Sequence, residues 1–158
     1  MKVKSINKVK VKVFEEEDLI DKLGLTQEEC NLILEYQTKF PELLQDDKSK
    51  IKSTKYLYEI LGFDKTHYSR WVKRNIIDNK YFSENKDWWE LAQWASSENN
   101  NKSKDYEISV ELAKHLCMQG NSDKCKSIRD YFILMEKTLR KYENWEINRG
   151  LSKTVGMR

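Results

Sequence analysis

The spacing of hydrophobic positions changes from strand-like to helical near the start of the chain. Residues 8–13 alternate lysine with valine, and this period of two predicts a half-buried strand. Acidic residues then open a short helix predicted over 15–23, with Gly24 as its left-handed cap. Thr26 and Glu29 have the spacing of a capping box and predict the start of a second helix, which Pro41 ends or restarts.

Two further helices are predicted on either side of Gly62. Ser53 or Thr54 caps the first of them, and Asp64 or Thr66 starts the second. The expected inner faces are Leu57, Ile60 and Leu61 in the first helix, and Trp71, Val72, Ile76 and Ile77 in the second. Two helices joined by a short turn with glycine resemble a helix-turn-helix in outline.

A small hairpin is expected between these helices and the last third of the chain. Its first arm holds Trp88, Trp89, Leu91 and Trp94, a set that fits either a short helix or a strand. Residues 97–104 are predicted to form the tip. Tyr106 and Ile108 flank Glu107 as in a short strand.

The last third of the chain predicts two helices, the second of them long. Ser109 caps a helix over 110–118, and Asp123 opens one that extends to about residue 148. Its apolar stripe is Ile128, Tyr131, Phe132, Met135, Leu139, Tyr142 and Trp145. Ile133 and Leu134 lie off that stripe. We therefore expect them to form an oligomer interface, with a two-fold dimer as the simplest arrangement.

These elements define the expected fold class and the expected domains. The class is α+β and predominantly helical, a compact single domain with a basic helix-turn-helix-like pair, a small hairpin and a long C-terminal helix. Residues 1–50 are predicted to be a strand and an acidic helical extension, with the best linker candidate at 46–50. The main domain is predicted over 51–148 and a tail over 149–158.

Composition narrows the class of protein. The 158 residues carry 29 basic and 26 acidic side chains, and aromatic residues make up 11% of the chain, enough to exclude wholesale disorder. No apolar run is long enough to span a membrane, and the lysine-rich first residues do not form a secretory signal. Three cysteines are too few for a disulfide framework. We therefore expect a cytoplasmic protein without membrane partners.

The two histidines and three cysteines offer little chemistry. His115 with Cys117 and Cys125 is only a partial zinc set, because paired short spacings are missing. The five glycines are too scattered for a phosphate-binding loop. We expect no metal, no cofactor and no enzymatic activity, and we expect the cysteines to pack as small buried hydrophobes.

Charge is distributed in blocks along the chain. Residues 1–13 have a net charge of +5, 14–49 of −8, and 50–80 of +5. Within the last block, basic, aromatic and hydroxyl side chains of the kind that contact phosphates and base edges lie close together. These candidates for nucleic-acid binding are Lys65, Thr66, His67, Tyr68, Arg70, Lys73 and Arg74. An ordinary solvated basic helix is the alternative.

Two blocks of the chain resemble the phage AntA/AntB antirepressor domain. The first runs from Ser53 to Leu61 and continues as Tyr68-Ser69-Arg70-Trp71-Val72-Lys73-Arg74, an aromatic-x-x-Trp-(Ile/Val)-x-x-(Arg/Lys) segment. The second joins Asp105-Tyr106-Glu107-Ile108-Ser109, Ala113 to Met118, and Ile128-Arg129 through Tyr131-Phe132-Ile133 to Glu136. The resemblance covers roughly residues 26–148.

The resemblance implies a phage or prophage protein of the bacterial cytoplasm that binds a repressor and relieves repression of lytic genes. A basic repressor surface would suit the acidic 14–49 segment, where Glu28 and Glu35 are the candidate partner-binding residues. The alternative is a transcriptional regulator that binds DNA directly through residues 65–74. A structural or assembly module without either partner is a third class.

Overall fold

The computed structural model describes residues 1–45, 50–92 and 104–156 and shows a predominantly helical α+β fold. The strands are β1 (Lys2–Ile6), β2 (Val9–Val13), β3 (Lys50–Ile51), β4 (Trp88–Glu90) and β5 (Tyr106–Ser109). The α-helices are α1 (Gln27–Tyr36), α2 (Thr54–Ile60), α3 (Tyr68–Val72), α4 (Val110–Cys117) and α5 (Asp123–Gly156). Single π or 3-10 turns cover Asp18–Lys22, Pro41–Leu44, Lys65–His67 and Lys73–Ile77.

These elements divide into two compact units. Unit one contains the described residues of 1–45 and 130–158, and unit two contains those of 46–129. Residues 130–148 therefore group with the N-terminal residues. The domain bounds 1–50, 51–148 and 149–158 stay a prediction.

Unit one begins with a hairpin that the sequence predicted only in part. The expected strand is present as β2, and β1 pairs with it antiparallel from Lys2 opposite Val13 to Ile6 opposite Val9. Val11 and Val13 are buried, because one face of the ribbon packs on the core. Polar and hydrophobic residues alternate less regularly in 2–6 than in 8–13, so the period of two did not by itself identify β1.

The acidic segment folds as expected at its two caps. Gly24 has a φ of +70°, the left-handed conformation that favours glycine. Thr26 and Glu29 form a complete capping box at the start of α1. The segment over 15–23 is shorter than predicted, with a π turn over Asp18–Lys22 in place of a regular helix.

Aromatic rings from α1, the turn after it and α5 build the core of unit one. Tyr131 lies with its ring centroid 5.6 Å from that of Tyr36 and 6.3 Å from that of Phe40. Phe132 lies 5.1 Å from Phe40 in an edge-on arrangement. Rings at such separations bury large areas and pack with defined geometry, which fixes the direction of the helix through this unit.

Unit two is built on a three-stranded antiparallel sheet in the order β3-β5-β4. Ile108 of the central strand pairs with Ile51 on one side and with Trp88 on the other. The ambiguous tryptophan segment is therefore a strand. It pairs antiparallel with β5 as the expected hairpin requires, whereas Trp94 and the tip at 97–103 lie outside the described residues.

The helices of unit two follow the predicted caps. The Ser53 hydroxyl accepts a hydrogen bond from Tyr56 N at the start of α2, and the Ser109 hydroxyl does the same for Leu112 N at the start of α4. Gly62 has a φ of +82° and separates α2 from the next helical segment. Asp64, not Thr66, caps that segment.

Two expectations about element ends and faces are corrected. α5 continues through Gly156, so the predicted tail at 149–158 is helical as far as the structure describes it. Ile77 is 45% exposed and does not lie on the inner face, because the π turn over Lys73–Ile77 rotates it away from Ile76. The predicted linker at 46–50 is outside the described residues except for Lys50, which belongs to β3.

Candidate functional site

The basic segment of unit two is a continuous helical stretch made of three different turns. A 3-10 turn over Lys65–His67 leads into α3, which ends in the π turn over Lys73–Ile77. The Asp64 carboxylate accepts hydrogen bonds from the backbone N–H and the hydroxyl of Thr66, both at 2.9 Å. These bonds hold the pKa of Asp64 below its ordinary value and stabilise the start of the segment.

Six of the seven predicted nucleic-acid contacts are exposed on this segment. They are Lys65, Thr66, His67, Arg70, Lys73 and Arg74. Tyr68 is the exception, since it is 6% exposed and its hydroxyl donates a hydrogen bond to the carbonyl oxygen of Lys104 at 3.0 Å. Burial raises the pKa of Tyr68, and the ring belongs to the core.

Acidic side chains lie close to three of the five basic side chains. Lys73 Nζ lies 2.8 Å from a carboxylate oxygen of Asp78. Lys65 reaches Glu59, and His67 reaches Asp64, both at 3.9 Å. The field at this surface is therefore weaker than the sequence count of bases indicates.

Arg70 and Arg74 are the cations that remain. They are four residues apart and so project from the same side of the helical segment. Among the residues that the structure describes, neither has a carboxylate within ion-pair distance. Arg70 contacts the Nδ1 atom of His67 at 2.6 Å, which orients its guanidinium.

A cleft of about 610 Å³ lies beside these arginines and has an aromatic floor. Tyr58 is central to that floor, with its ring centroid 4.9 Å from Trp71 and 5.3 Å from Phe63. The rest of the lining is Asp64, His67, Arg70, Arg74, Asn75 and Gln119. The sequence indicated Trp71 as a core anchor only, and it is in fact half-buried with a face on the cleft.

This arrangement suits a ligand with an apolar or aromatic group next to a negative charge. Aromatic faces offer area and rigidity at low entropic cost, and guanidinium groups bind carboxylate or phosphate oxygens in a bidentate manner. Tyr58, Phe63 and Gln119 were missed by the sequence analysis. No short-range signal identifies them, because the fold alone brings 58–63 together with 119.

Asp105 connects the start of α2 to the start of β5 within unit two. Its carboxylate accepts hydrogen bonds from the Ser53 hydroxyl at 2.5 Å and from Lys55 N at 3.0 Å. Thr54, fully buried, donates from its hydroxyl to the carbonyl oxygen of Tyr106 at 2.8 Å. The start of α2 is therefore fixed against β5, and this in turn positions Tyr58 in the cleft floor.

The cysteines pack as buried side chains. Cys30, Cys117 and Cys125 are free thiols with at most 2% exposure. Burial, with a smaller effect from Cys125, raises the pKa of Cys117 to about 12, which keeps this thiol protonated at neutral pH. Within the described ranges, no group of three histidine, cysteine or acidic side chains could hold a metal ion.

The predicted partner and oligomer residues lie in unit one. Glu28 and Glu35 are exposed on α1. Ile133 and Leu134 are half-buried on α5, so the second apolar face is less open than the spacing indicated. Among the helices that the structure describes, none has the length and apolar character needed to span a bilayer.

The fold and the cleft define a predominantly helical α+β protein with an aromatic, arginine-rimmed cleft in its second unit. Residues 53–122 match the family model for the AntA/AntB antirepressor. The match covers less than half of the chain but contains every residue of the cleft. It confirms the resemblance over this segment and supports an antirepressor function in general terms. Neither the curated proteins nor the solved structures gave a significant match.

Proposed function

We propose that the chain is a phage or prophage antirepressor that binds a repressor protein and relieves repression of lytic genes in the bacterial cytoplasm. The observation that carries this proposal is the antirepressor match over residues 53–122. The function is one of binding, and we propose no catalytic step.

The mechanism follows from linkage. A protein that binds the DNA-free state of a repressor more tightly than the operator-bound state lowers operator occupancy by mass action. A hundredfold difference in affinity corresponds to about 2.7 kcal/mol and shifts the equilibrium toward the DNA-free repressor once the chain is in excess. The antirepressor needs no contact with the operator itself.

The cleft is the first candidate for the repressor contact. It lies within the matched segment, and its aromatic floor beside Arg70 and Arg74 suits an acidic and apolar segment of a partner. Glu28 and Glu35 lie outside the matched segment. We propose that these two exposed acids steer a basic region of the repressor during association.

The proposal is tested in two steps. Affinity-tagged chain is expressed in a lysogen and recovered, and mass spectrometry identifies a bound repressor. The repressor is then purified and bound to its labelled operator, and the chain is titrated in. We expect operator binding to fall as the chain exceeds the repressor. Unchanged operator occupancy at a large excess of the folded chain would contradict the proposal.

Direct DNA binding is the second candidate function. The specific observation in its favour is the row of exposed cations at Lys65, Arg70, Lys73 and Arg74. The carboxylates beside Lys65 and Lys73 weigh against it. Tight, sequence-selective binding to a phage operator in the absence of repressor would establish this function in place of the first.

We also propose that the chain forms a two-fold dimer through α5. Ile133 and Leu134 keep part of their surface exposed, and Ile147, further along the helix, is 59% exposed. Light scattering at tens of micromolar should then give twice the chain mass of 19.0 kDa. A monomer under these conditions would exclude the dimer.

A further inference from the structure

We propose that the β1–β2 hairpin is a second interaction surface, which contacts the phosphate backbone of double-stranded DNA. The hairpin belongs to unit one and is separate from the basic segment of unit two. The first 13 residues contain five lysines and no acid. This inference does not rest on the proposed function, because the contact requires no repressor.

The register of the hairpin separates its two faces. Val9, Val11 and Val13 lie on one face, paired with Ile6, Lys4 and Lys2. Val11 and Val13 are buried, so this face packs on the core of unit one. The opposite face carries Val3, Ser5, Lys10 and Lys12, and all four are exposed.

The turn adds a third lysine to the exposed end of the ribbon. Asn7 and Lys8 have φ values of +51° and +68°, the pair of left-handed residues that defines a type I′ turn. Asparagine adopts this conformation readily, and the second position strongly favours glycine. A lysine held there presents its charge at the tip despite the conformational cost.

The lysines of this ribbon are available to an external anion. Within the part of the chain that the structure describes, none of the five forms an ion pair with a carboxylate. Lys10 and Lys12 are two residues apart on one strand, which separates their stems by about 6.8 Å. Three ammonium groups and the Ser5 hydroxyl therefore project from one narrow, exposed strip.

Duplex DNA fits this strip better than other polyanionic surfaces. A two-stranded ribbon is narrow enough to lie in the major groove, and the long lysine side chains on its exposed face can then extend to the phosphates that border the groove. Binding in a bilayer interface requires a substantial apolar face, and the exposed face offers only Val3. The contact needs no base recognition, since lysine–phosphate pairs position a protein without reading sequence.

The test measures binding of the purified full chain to a fluorescent DNA duplex of arbitrary sequence over a range of salt concentrations. The hairpin variant is Lys10→Gln with Lys12→Gln. Loss of two phosphate contacts should reduce the slope of log affinity against log salt by roughly 1.8. A fourfold rise in salt should then weaken the variant about 12-fold less than the unmodified chain.

The matched control is Lys137→Gln with Lys141→Gln. These lysines are exposed on α5 in the same unit, and their loss changes the net charge equally. The control should keep the slope of the unmodified chain. An equal loss in the control would show a net-charge effect only and overturn the proposal. The proposal would also be overturned if the salt slope fell only in the variant Arg70→Gln with Arg74→Gln and not in the hairpin variant.

The variant Lys8→Gly separates the effect of the Lys8 charge on DNA binding from any effect on the stability of the hairpin. Glycine is the preferred residue at this turn position, so the hairpin should be at least as stable as before. We expect the salt slope to fall by about 0.9 without a drop in the unfolding midpoint. An unchanged slope would show that Lys8 makes no contact with the DNA. Binding to phosphatidylserine vesicles with no binding to the duplex would overturn the proposal in favour of a membrane contact.

Discussion

Two buried polar side chains of unit one, Gln37 and Asp18, are bonded to the backbone at points where the chain changes direction. The Gln37 amide group accepts from Phe14 N at 2.9 Å and donates to the Phe14 carbonyl oxygen at 2.8 Å, replacing the backbone partners that the end of β2 lacks. Asp18 accepts from Glu15 N at 2.9 Å and from Lys22 Nζ at 3.0 Å. An unbonded polar group would cost about 1–3 kcal/mol at either place.

Asp18 should make unit one sensitive to acid. Burial alone raises the pKa of this carboxyl, but the hydrogen bonds from Glu15 N, Lys22 and the terminal amine outweigh burial and hold the pKa below its ordinary value. Its contribution to stability is therefore present above the unfolded-state pKa of about 3.9 and is lost as the pH falls through the lower folded-state pKa. Asp18→Asn should lower the free energy of unfolding by about 1–2 kcal/mol at pH 7.

Urea denaturation at pH 7 and at about pH 3 checks this expectation. The difference between the unmodified chain and Asp18→Asn should shrink at the lower pH. A difference that stays constant would show that the charge of Asp18 contributes nothing.

Two tyrosines should respond in opposite ways to loss of the hydroxyl. Tyr131 is fully buried, and its hydroxyl has no hydrogen-bond partner among the described residues, whereas the Tyr58 hydroxyl donates to the carbonyl oxygen of Asp64. Tyr131→Phe should raise the free energy of unfolding by up to about 1 kcal/mol, because an unpaired polar group leaves the core. Tyr58→Phe should lower it by about 1 kcal/mol.

Both tyrosine variants are measured by the shift of the urea midpoint at constant m-value. A destabilising Tyr131→Phe would mean that its hydroxyl is bonded in solution, for example to a buried water.

The connection between α4 and α5 has little room for a side chain at Gly120. A Cβ atom added at Gly120 would lie 2.5 Å from Cys125 Sγ and 2.8 Å from the Phe63 ring. Gly150, within α5, has nothing within 4 Å of that position. The same substitution therefore tests close packing at one glycine and helix propensity at the other.

Gly120→Ala should destabilise unit two by about 1–3 kcal/mol, because Phe63 and Cys125 must move to admit the methyl group. Gly150→Ala should stabilise α5 by roughly 0.5–1 kcal/mol, since alanine loses less conformational entropy in a helix. Thermal unfolding followed by circular dichroism shows whether each variant lowers or raises the unfolding midpoint. A neutral Gly120→Ala would show that the cleft wall near Phe63 is easily deformed.

On the scale of the whole molecule, the exposed acids of α1 and the arginines of the cleft lie in different units and suit different regions of a repressor. Unit one presents Glu28 and Glu35 on α1, and unit two presents Arg70 and Arg74 beside the cleft. Charges at the edge of an interface mainly alter the association rate and its salt dependence, whereas a central contact alters dissociation.

Kinetics with the repressor should therefore distinguish the two surfaces. Glu28→Lys with Glu35→Lys should slow association, by about tenfold at low salt, with little change in dissociation. Arg70→Gln with Arg74→Gln should speed dissociation, because the cleft is the proposed anchor. Surface plasmon resonance at two salt concentrations measures both rates. If the arginine variant dissociates at the unmodified rate, the cleft is not the anchor.

The sequence by itself determined those features that depend on neighbours close along the chain. The capping box at Thr26, the left-handed cap at Gly24, the break at Gly62 and the cap at Ser109 were predicted, and Ser53 was one of two candidates for its cap. Each of these features needs only a few residues in a fixed order. The alternation in 8–13 predicted β2 for the same reason. The ordered blocks of residues within 53–122 were sufficient to indicate the antirepressor resemblance that the family match confirms.

Only the tertiary structure decided what depends on residues far apart in the chain. Tyr68 looked like a surface residue in a basic segment, yet a bond to the Lys104 carbonyl oxygen and contacts with Tyr58 place it in the core. The cleft is formed only when 58–75 meets 119, and the side on which Ile77 lies depends on a π turn that no periodicity reveals. Burial of a side chain is set by the surfaces that surround it. Because those surfaces come from distant segments, local pattern cannot specify it.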